Sequence, residues 1–374
     1  MNNRERTMAI LNYEKYDRMP LVHFGYWGEL LQKWHQEGHI TKEQADGCGD
    51  GNQIDIQINE KLGLDFCWTS QYSGHNGLMP GFEYKILERR ADGSIIHQNG
   101  NGLIEEIKPG LTSIPATVGT LMTGREAWEE LYKPRLQPDS RRYGSPEQLA
   151  NIKKYMEDLT ERPAGLFTGS LYGSIRDMLG VEGISYLYAD DEDLYIEIID
   201  TIGILCYETA KSILESGIKP DFLHFWEDIC FKNGPLVNPA LFKEYVGPHY
   251  KKITDLARKS GTNLASLDCD GCIDKLVPIW LENGVNTMFP IEVGTWEASI
   301  EPWRKEYGKE LRGVGGMNKN VFALDFKAVD AEIERLRPLI DLGGFIPCPD
   351  HRLPPHAKWD NVRYYCDKMR KVFG

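Results

Sequence analysis

The sequence predicts an α/β fold, a single (β/α)8 TIM barrel that takes in residues 1–374. One observation is alternation: short apolar or β-branched runs that end in polar residues are separated by longer segments with helical periodicity. The other is number, because eight such runs occur. Eight strands that alternate with helices favour a parallel sheet, and right-handed crossovers close such a sheet readily into a barrel. A doubly wound open sheet is the alternative, but no G-x-G-x-x-G motif follows the first run.

The eight predicted strands follow one another along the chain with helical segments between them. In those segments, Asn238 followed by Pro239 is typical of a helix start, and Pro248 predicts a break in the helix that follows. The predicted strands occupy residues 20–25, 64–69, 165–171, 221–228, 263–271, 285–292, 311–318 and 343–351.

Two stretches do not fit the repeat. Residues 26–60 predict an N-terminal helical excursion followed by a glycine-rich turn. Residues 82–110 predict a β-meander insertion, because Asp92-Gly93 and Asn101-Gly102 are strong hairpin signals between β-type runs. We expect both to wall the mouth of the barrel within one domain, since no internal repeat or low-complexity linker indicates a second domain.

Composition narrows the class of partner. The formal net charge of −13 argues against nucleic acid, because binding DNA or RNA is dominated by neutralising phosphates. No apolar run reaches the roughly 18 residues that would span a bilayer, and the first residues contain no signal-peptide core. We therefore expect no membrane partner and a cytoplasmic location. The oligomeric state is left open, with a homodimer as one alternative.

Chemistry in such barrels lies where strands end and helices begin. The residues at or near these ends are rich in carboxylates and histidine, which indicates a metal site or an acid–base site. They are His23, Thr69, Arg176, Asp177, Glu227, Asp228, Asp268, Asp270, Glu292, Asn318, Asp350 and His351.

Two aspartates at the end of the fifth predicted strand share one face. Asp268 and Asp270 lie two residues apart, so both face the lumen if one does. Alternatively, one of them caps the following helix. Cys269 faces the other way and forms a C-x-x-C with Cys272, but no second pair follows at zinc-ribbon spacing, and packing at the turn is the simpler interpretation. Cys348 lies three residues before His351 and is likewise expected to face away from it.

Carboxylates and a histidine on other strands oppose these aspartates. Glu227 follows an aromatic strand, where a carboxylate is costly unless it pairs with an arginine or binds a metal. Asp, Glu and His together suit Zn²⁺ or another borderline divalent ion. The predicted metal ligands are Glu227, Asp268, Asp270 and His351. The predicted catalytic residues are Glu227, Asp270 and His351.

Other strand-end side chains are predicted to contact the substrate. The aromatic members would line an apolar pocket, although core packing is the alternative for each of them. The predicted substrate-binding residues are His23, Tyr26, Trp27, Arg176, Asp177, Trp226, Glu292 and Asn318.

Five segments together resemble the uroporphyrinogen decarboxylase superfamily over nearly the whole chain. They are RERTMAILNYEKYDRMPLVHFG, GSLYGSIRDMLG, LDCDGCIDKLVPIWLENGVNTMFPIE, RKEYGKELRGVGGMNK and GGFIPCPDHRLPP. The superfamily includes true uroporphyrinogen decarboxylases and corrinoid-linked methyltransferases, some of which act on coenzyme M and some on methoxylated aromatics. The resemblance implies a barrel enzyme with its active site at the mouth.

The sequence departs from the true decarboxylases. Their arginine-rich segment R-Q-A-G-R-Y, which holds the porphyrinogen's carboxylates, corresponds here to HFGYWG at residues 23–28, without arginine. Their tyrosine after G-x-P-W-T-L corresponds to Asp177, and only the histidine of the last strand is kept, as His351. Because a substrate with eight carboxylates needs cationic clamps, the resemblance favours the methyltransferase branch.

In the coenzyme M methyltransferases, the H-x-C zinc ligands correspond to Asp268 and Asp270, and the later cysteine falls near His351. Oxygen and nitrogen ligands make zinc a harder Lewis acid, which suits an ether oxygen. The resemblance therefore implies methyl transfer from a methoxylated aromatic, an aryl methyl ether, to the Co(I) centre of a partner corrinoid protein (O-demethylation). The alternatives are a uroporphyrinogen-type decarboxylase and a non-catalytic small-molecule binding barrel.

Overall fold

A computed structural model describes residues 1–108 and 115–374 of the chain. Buried hydrophobic side chains from Ile10 to Met369 form one connected cluster that spans nearly the full sequence. None of the described helices is both long and apolar enough to cross a membrane.

Helices and short strands alternate through most of the described residues. The strands are β1 (Val22–His23), β2 (Phe66–Cys67), β3 (Tyr72–Ser73), β4 (Lys85–Arg89), β5 (Ile95–Gln98), β6 (Leu103–Ile107), β7 (Ala116–Thr120), β8 (Gly165–Phe167), β9 (Phe222–Trp226), β10 (Cys230–Phe231), β11 (Gly234–Pro235), β12 (Leu264–Asp268), β13 (Thr287–Phe289), β14 (Arg312–Met317) and β15 (Phe345–Pro349).

The helices are α1 (Asn3–Leu11), α2 (Gly28–Gln36), α3 (Lys42–Gly47), α4 (Gln53–Leu62), α5 (Arg125–Ala127), α6 (Pro146–Asp158), α7 (Gly173–Asp190), α8 (Glu192–Glu215), α9 (Pro239–Leu241), α10 (Gly247–Lys259), α11 (Val277–Glu282), α12 (Val293–Trp296), α13 (Ile300–Tyr307), α14 (Phe326–Asp341) and α15 (Trp359–Phe373). Shorter 3₁₀ and π-helical turns occupy Trp128–Tyr132, Lys133–Leu136, Ser140–Arg142, Phe242–Val246, Gly308–Glu310 and Lys319–Ala323.

The main sheet has seven strands in the order β15-β14-β13-β12-β9-β8-β3. All of its neighbouring pairs are parallel; for example, Ser266 of β12 lies between His224 of β9 and Thr287 of β13. Consecutive strands along most of this sheet are joined through helices, which is the arrangement of a TIM-barrel-like fold. Each of the eight predicted runs contains an observed strand, although every strand is shorter than its run.

The first two strands pair separately and in parallel, with His23 opposite Cys67. Two contacts bring this pair next to the main sheet. A parallel bridge joins Tyr26 to Leu353, just beyond β15, and the Leu353 N–H donates to the carbonyl of Gly25 at 3.0 Å. Among the described residues, the ladders do not form one closed ring of eight strands.

The predicted β-meander is an antiparallel sheet in the order β4-β5-β6-β7. The turns fall at Asp92-Gly93 and Asn101-Gly102 as predicted, with positive φ at both glycines. A fourth strand, β7, extends the sheet beyond the predicted three. The predicted residues 109–110 lie outside the described part of the chain.

The helical punctuation follows the predicted signals. Asn238 caps α9 by accepting a hydrogen bond from the Ala240 N–H. The chain then forms a π-helical turn at Phe242–Val246, and α10 begins at Gly247 with Pro248 in its first turn. The predicted excursion at residues 26–60 contains α2, α3 and α4, and the glycine-rich turn precedes α4.

Candidate functional site

Residues at the carboxyl ends of the parallel strands enclose a cavity of about 510 Å³, called the mouth cavity below. Four aromatic side chains form its apolar walls, and they are Phe24, Trp27, Phe167 and Trp226. Its ionisable walls are His224, Asp228, Asp268, Asp270, His351 and Arg352. Aromatic faces beside a few convergent polar groups are typical of a small-molecule site.

Strand β12 delivers two carboxylates to this cavity. Every residue of β12 is buried, and Asp268 and Asp270 follow one another on the cavity side, as predicted. Burial, together with the charges of Asp270 and Asp228, raises the pKa of Asp268 well above its usual value. The following helix, α11, begins after Leu276, so neither aspartate caps it. A buried Asp268 that interacts electrostatically with the half-buried Asp270 favours a proton or a cation between them.

The second of these aspartates meets the predicted histidine. The His351 Nε2 lies 3.2 Å from Asp270 Oδ2. The other oxygen, Asp270 Oδ1, is buried and has no hydrogen-bond partner among the described residues. The His351 ring stacks on Trp27 at 5.6 Å between centroids and lies 5.0 Å from Phe24. The structure therefore brings Asp270, His351 and the aromatic wall together.

An arginine at the rim of the cavity pairs with an aspartate that does not line it. Arg352 makes a two-pronged ion pair with Asp50, at 2.8 and 2.6 Å. Gly25 leaves the space for this pair: its φ is +108°, and a Cβ there would lie 2.4 Å from the Arg352 guanidinium. Because Arg352 is already neutralised by Asp50, it offers little free positive charge to an anionic ligand.

A second arginine joins two acids at the opposite wall. Arg176 contacts Asp228 Oδ2 at 2.7 Å and Asp177 Oδ1 at 2.9 Å, and its guanidinium lies over the Trp226 ring at 5.3 Å. Burial raises the pKa of Asp177, the charges of Asp228 and Glu105 act in the same direction, and Arg176 opposes them. As at the rim, the arginine is neutralised by its own partners.

Asp177 faces a neighbouring cavity of about 300 Å³, called the side cavity below. This cavity shares Ser73, Phe167 and Trp226 with the mouth cavity. Of the predicted substrate-binding residues, Trp27 and Trp226 therefore line the mouth cavity, while Asp177 and Trp226 line the side cavity.

Glu227 lies elsewhere. It is fully buried, and its oxygens accept hydrogen bonds from the backbone N–H groups of Leu171, Tyr172 and Gly173 at 2.7–2.9 Å. The hydroxyl of Tyr250 also donates to it. The structure does not bring Glu227 to Asp270 and His351, nor does it pair it with an arginine. Its carboxylate instead satisfies the exposed N–H groups at the start of α7.

Two further predicted residues hold loops at the mouth. Glu292 is buried and accepts from the Gly271 N–H at 2.7 Å and from the Thr295 hydroxyl at 2.9 Å, which fixes the segment that carries Asp270. Asn318 caps the turn after β14 by accepting from the Asn320 N–H at 3.0 Å. Neither contacts the mouth cavity or the side cavity.

His23 and Tyr26 lie in a separate buried group behind the first strands. His23, Asp55 and Cys67 place one potential ligand atom each within 4.8 Å of the others. It is the one such group of three in the described ranges, so Asp268, Asp270 and His351 do not meet that spacing. The Tyr26 ring lies 4.9 Å from the His23 ring at a tilt of 32°, and its hydroxyl donates to the Asn59 side-chain oxygen at 2.7 Å.

The hydrogen bonds of His23 bear on whether this group holds an ion. The Gly25 N–H donates to His23 Nδ1 at 3.0 Å, so in a neutral ring the proton resides on Nε2. That nitrogen faces Asp55 Oδ1 at 3.5 Å. A metal on Nε2 would have to displace this proton. His23 Nε2 and Asp55 Oδ1 are both buried without a hydrogen-bond partner among the described residues, so this group is a second candidate metal site.

Several residues of the cavities were missed by the sequence analysis. His224 faces the mouth cavity, and strand alternation with Trp226 could have identified it. Arg352 directly follows a predicted residue. Asn76, in a loop beyond β3, carried no sequence signal. Cys269 is buried and accepts from the Ile229 N–H, in line with packing at the turn.

The fold has solved relatives. No protein-family model matches the chain, and no curated protein matches it significantly. It shares its fold with a methyltransferase. That protein, from Methanosarcina mazei, has a TM-score of 0.57 at 14% identity, over 99% of this chain and 98% of the other. At this identity the likeness concerns the fold alone. A putative vitamin-B12-independent methionine synthase from Listeria monocytogenes aligns over 96% of this chain and 97% of the other at 13% identity. Its TM-score is 0.39, which is too low to indicate a shared fold.

Proposed function

We propose that the protein is a methyltransferase whose active site is the mouth cavity, and that it moves the methyl group of an aryl methyl ether to the Co(I) centre of a partner corrinoid protein. The observation that carries the proposal is the pair of Asp270 and His351, 3.2 Å apart beneath an aromatic wall. Faces of Trp27 and Trp226 suit the stacking of a substrate ring. The resemblance to the corrinoid-linked branch of the uroporphyrinogen decarboxylase superfamily supplies the reaction class.

The donor types suit a zinc ion, and the side chains of Asp268, Asp270 and His351 would have to move together to bind it, because their ligand atoms do not all lie within 4.8 Å of one another. Asp268, Asp270 and His351 would hold it with two carboxylates and an imidazole, and Asp270 Oδ1 is a buried acceptor without a partner among the described residues. A cation there would relieve the repulsion between the buried Asp268 and the half-buried Asp270. When bound, the zinc would act as a Lewis acid that stabilises negative charge on the ether oxygen. We do not include Glu227, because its oxygens already accept protein N–H and O–H donors.

The protein's own residues would orient the reaction. The aromatic wall holds the ring, Trp27 fixes the plane of His351 by stacking, and Glu292 holds the loop of Asp270. In the transfer, the bond between the methyl carbon and the ether oxygen breaks. Its electron pair remains on the oxygen as a phenolate, and a Co(I) corrinoid held by the partner protein would supply the electron pair for the new bond to carbon.

The wider architecture belongs to the same proposal. The β1–β2 pair lies beside β15 through the Tyr26–Leu353 bridge, and we propose that the two sheets together make one (β/α)8 barrel and one domain. Its mouth would receive the corrinoid protein, since active sites of such barrels lie at that face.

The decarboxylase alternative finds less support at this site. A porphyrinogen with many carboxylates requires unpaired cations, whereas Arg352 and Arg176 are each neutralised by aspartates. The non-catalytic alternative would be favoured if the predicted metal ligands pointed apart, and this holds for Glu227 only.

An anaerobic assay tests the proposal. The protein is incubated with cob(I)alamin and panels of methoxyphenols, methoxybenzamides and methoxybenzoates, and methylcobalamin is followed by its absorbance. A parallel incubation with uroporphyrinogen measures CO₂ release. We expect methylcobalamin from at least one methoxylated aromatic and no CO₂. Release of CO₂ without methylcobalamin from any donor would replace the proposal with the decarboxylase.

A further inference from the structure

The side cavity opens beside the mouth cavity and is lined by polar side chains of its own. It encloses about 300 Å³ and shares Ser73, Phe167 and Trp226 with the mouth cavity. Because these wall residues are common to both, a ring held in the mouth cavity can direct a substituent into the side cavity. The mechanism proposed above uses none of the polar groups of the side cavity.

Asn76 is the first of these groups. It lines the side cavity, and both its amide nitrogen and its amide oxygen are buried without a hydrogen-bond partner among the described residues. The loop that carries it is held by Arg142, whose guanidinium donates to the carbonyls of His75 and Gly77 at 3.0 and 2.8 Å. Leaving a buried amide unpaired is costly, so an unpaired amide on a cavity wall in a rigid loop indicates that a ligand pairs with it.

Asp177 is the second group. Its Oδ1 accepts from Arg176 at 2.9 Å, while its Oδ2 accepts no hydrogen bond from the described residues. Asn76 and Asp177 together therefore offer the cavity two acceptor oxygens and one donor N–H₂. The complement of that set is a group that both donates and accepts, such as a hydroxyl or a primary carboxamide.

The acidic surroundings of the side cavity favour an uncharged hydroxyl or carboxamide over a carboxylate. Asp228 and Glu105 are close enough to Asp177 to act on it electrostatically, and the nearest arginine, Arg176, is shared between Asp177 and Asp228. The guanidinium of Arg142 is directed at backbone carbonyls rather than at the cavity. Apart from the Asn76 N–H₂ and the His75 ring, a carboxylate would face acceptor oxygens and acidic charges, and would have to lose its water shell to do so.

We infer that the side cavity is a substrate subsite for an uncharged hydroxyl or carboxamide, read by Asn76 and Asp177. The inference rests on the proposed function and narrows it: the substrates are methoxyphenols or methoxybenzamides rather than methoxybenzoates. The three ligand classes differ in one substituent only, so the preference belongs to the subsite and not to the methyl ether.

Calorimetric titration without any corrinoid tests the inference. The ligands are methoxyphenol, methoxybenzamide and methoxybenzoate, each as ortho, meta and para isomers, with methoxybenzene as the unsubstituted reference. We expect the best phenol or amide to bind the wild type at least about tenfold more tightly than the reference and than any benzoate, a factor that corresponds to about 1.4 kcal/mol. Asn76→Ala should abolish the preference over methoxybenzene, and Asp177→Asn should narrow the preference over the benzoate.

A matched control is Asn151→Ala on the exposed face of α6, which should leave all affinities unchanged. The inference is overturned if a benzoate binds best, if Asn76→Ala keeps the preference, or if no ligand binds. Because the titration needs no methyl transfer, its outcome is separate from that of the proposed function: the stated preference without methylcobalamin formation keeps the subsite and removes the reaction. If benzoates are turned over as fast as phenols, the proposed reaction is kept and the subsite is removed.

Discussion

The carboxylates at the strand ends differ in whether they have an oxygen free to bind a ligand or a metal. Asp270 has a free buried oxygen and a histidine beside it, whereas Glu227 has no free acceptor to give. Both are carboxylates directly after apolar strands, and the sequence does not distinguish them. The difference comes from what approaches in three dimensions: the amino end of α7 meets Glu227, and His351 meets Asp270.

Removing either member of the Asp270–His351 pair should impair both zinc binding and turnover. We expect Asp270→Asn and His351→Gln each to lower zinc affinity by at least about 100-fold, because changes in groups that merely support metal ligands already cost 10–100-fold. Zinc content after dialysis and the rate of methylcobalamin formation measure the effect. Asp341→Asn on the exposed end of α14 is the control and should match the wild type. Full activity of both site variants would remove the pair from the mechanism.

At the residue scale, the sequence predicts what alternation and strand position can reveal. Asp268, Asp270 and His351 were identified because strand ends of parallel sheets converge. Asn76 could not be identified in this way, since it lies in a loop whose path depends on the carbonyls that Arg142 holds. Arg352 was passed over although it adjoins His351, because its pairing with Asp50 spans most of the chain.

At the scale of elements, the start of α7 depends on one side chain from another strand. The Glu227 carboxylate accepts the N–H groups of residues 171–173, and a Cβ on Gly173 would lie 2.0 Å from the Glu227 carbonyl oxygen. The glycine thus permits the close approach that the hydrogen bonds need. A helix N-terminus with a buried anion is a stabilising arrangement.

Glu227→Gln should therefore act on stability. The amide nitrogen replaces one acceptor and leaves a buried N–H group unpaired, so we expect the free energy of unfolding to fall by about 1–3 kcal/mol. Urea unfolding measures it, and Glu182→Gln on the exposed side of α7 should change it little. Unchanged stability together with lost zinc would instead make Glu227 a metal ligand.

The turns and most strands were predicted from the sequence better than the pairing of the strands was. Asp92-Gly93 and Asn101-Gly102 form the expected turns because both are local signals. The fourth strand of that sheet, β7, follows Pro109-Gly110, where the predicted meander ended, and it is paired by its neighbour β6. Likewise, the short strand β3 is defined by its pairing with β8, and a two-residue strand has no periodicity to detect.

Across the whole molecule, buried histidines link stability to pH. Burial lowers the pKa of His224 to about 3, so the folded protein leaves it neutral while the unfolded chain protonates it below about pH 6.5. The stability that depends on this neutrality is complete above pH 6.5 and is lost as the pH falls. Burial lowers the pKa of His249 as well, with the same sign.

We expect the unfolding free energy of the wild type to fall more steeply between pH 6 and pH 4 than that of His224→Gln. The difference in slope should approach about 1.4 kcal/mol per pH unit, the value for one proton. Urea unfolding at several pH values measures both slopes. Since His249 is present in both proteins, it cancels in the comparison. Equal slopes would mean that His224 takes up a proton in the folded state.

Zinc should stabilise the whole fold through the mouth cavity. At a free zinc concentration 100 times the dissociation constant, the gain over chelator-treated protein should be about 2.7 kcal/mol. Thermal or urea unfolding with and without the ion measures it. The gain should vanish in Asp270→Asn and persist in His23→Gln; the opposite pattern would place the ion beside Asp55 and Cys67.

Eight of the nine parallel strands of the described residues could be predicted at this scale, because each run is a local signal; β3 and the division of the strands into two sheets could not. The lengths of the strands could not. Apolar runs extend beyond the hydrogen-bonded ladder wherever the backbone turns toward the cavity, as residues 269–271 do after β12, and this turn is set by contacts such as that of Glu292 with Gly271.

Diffraction from zinc-soaked crystals on either side of the zinc absorption edge tests the central claim most directly, since it locates the ion without reference to activity. The account predicts the strongest anomalous peak in the mouth cavity, in contact with Asp270 and His351. A peak among His23, Asp55 and Cys67 with none beside Asp270, or no protein-bound peak, would contradict it.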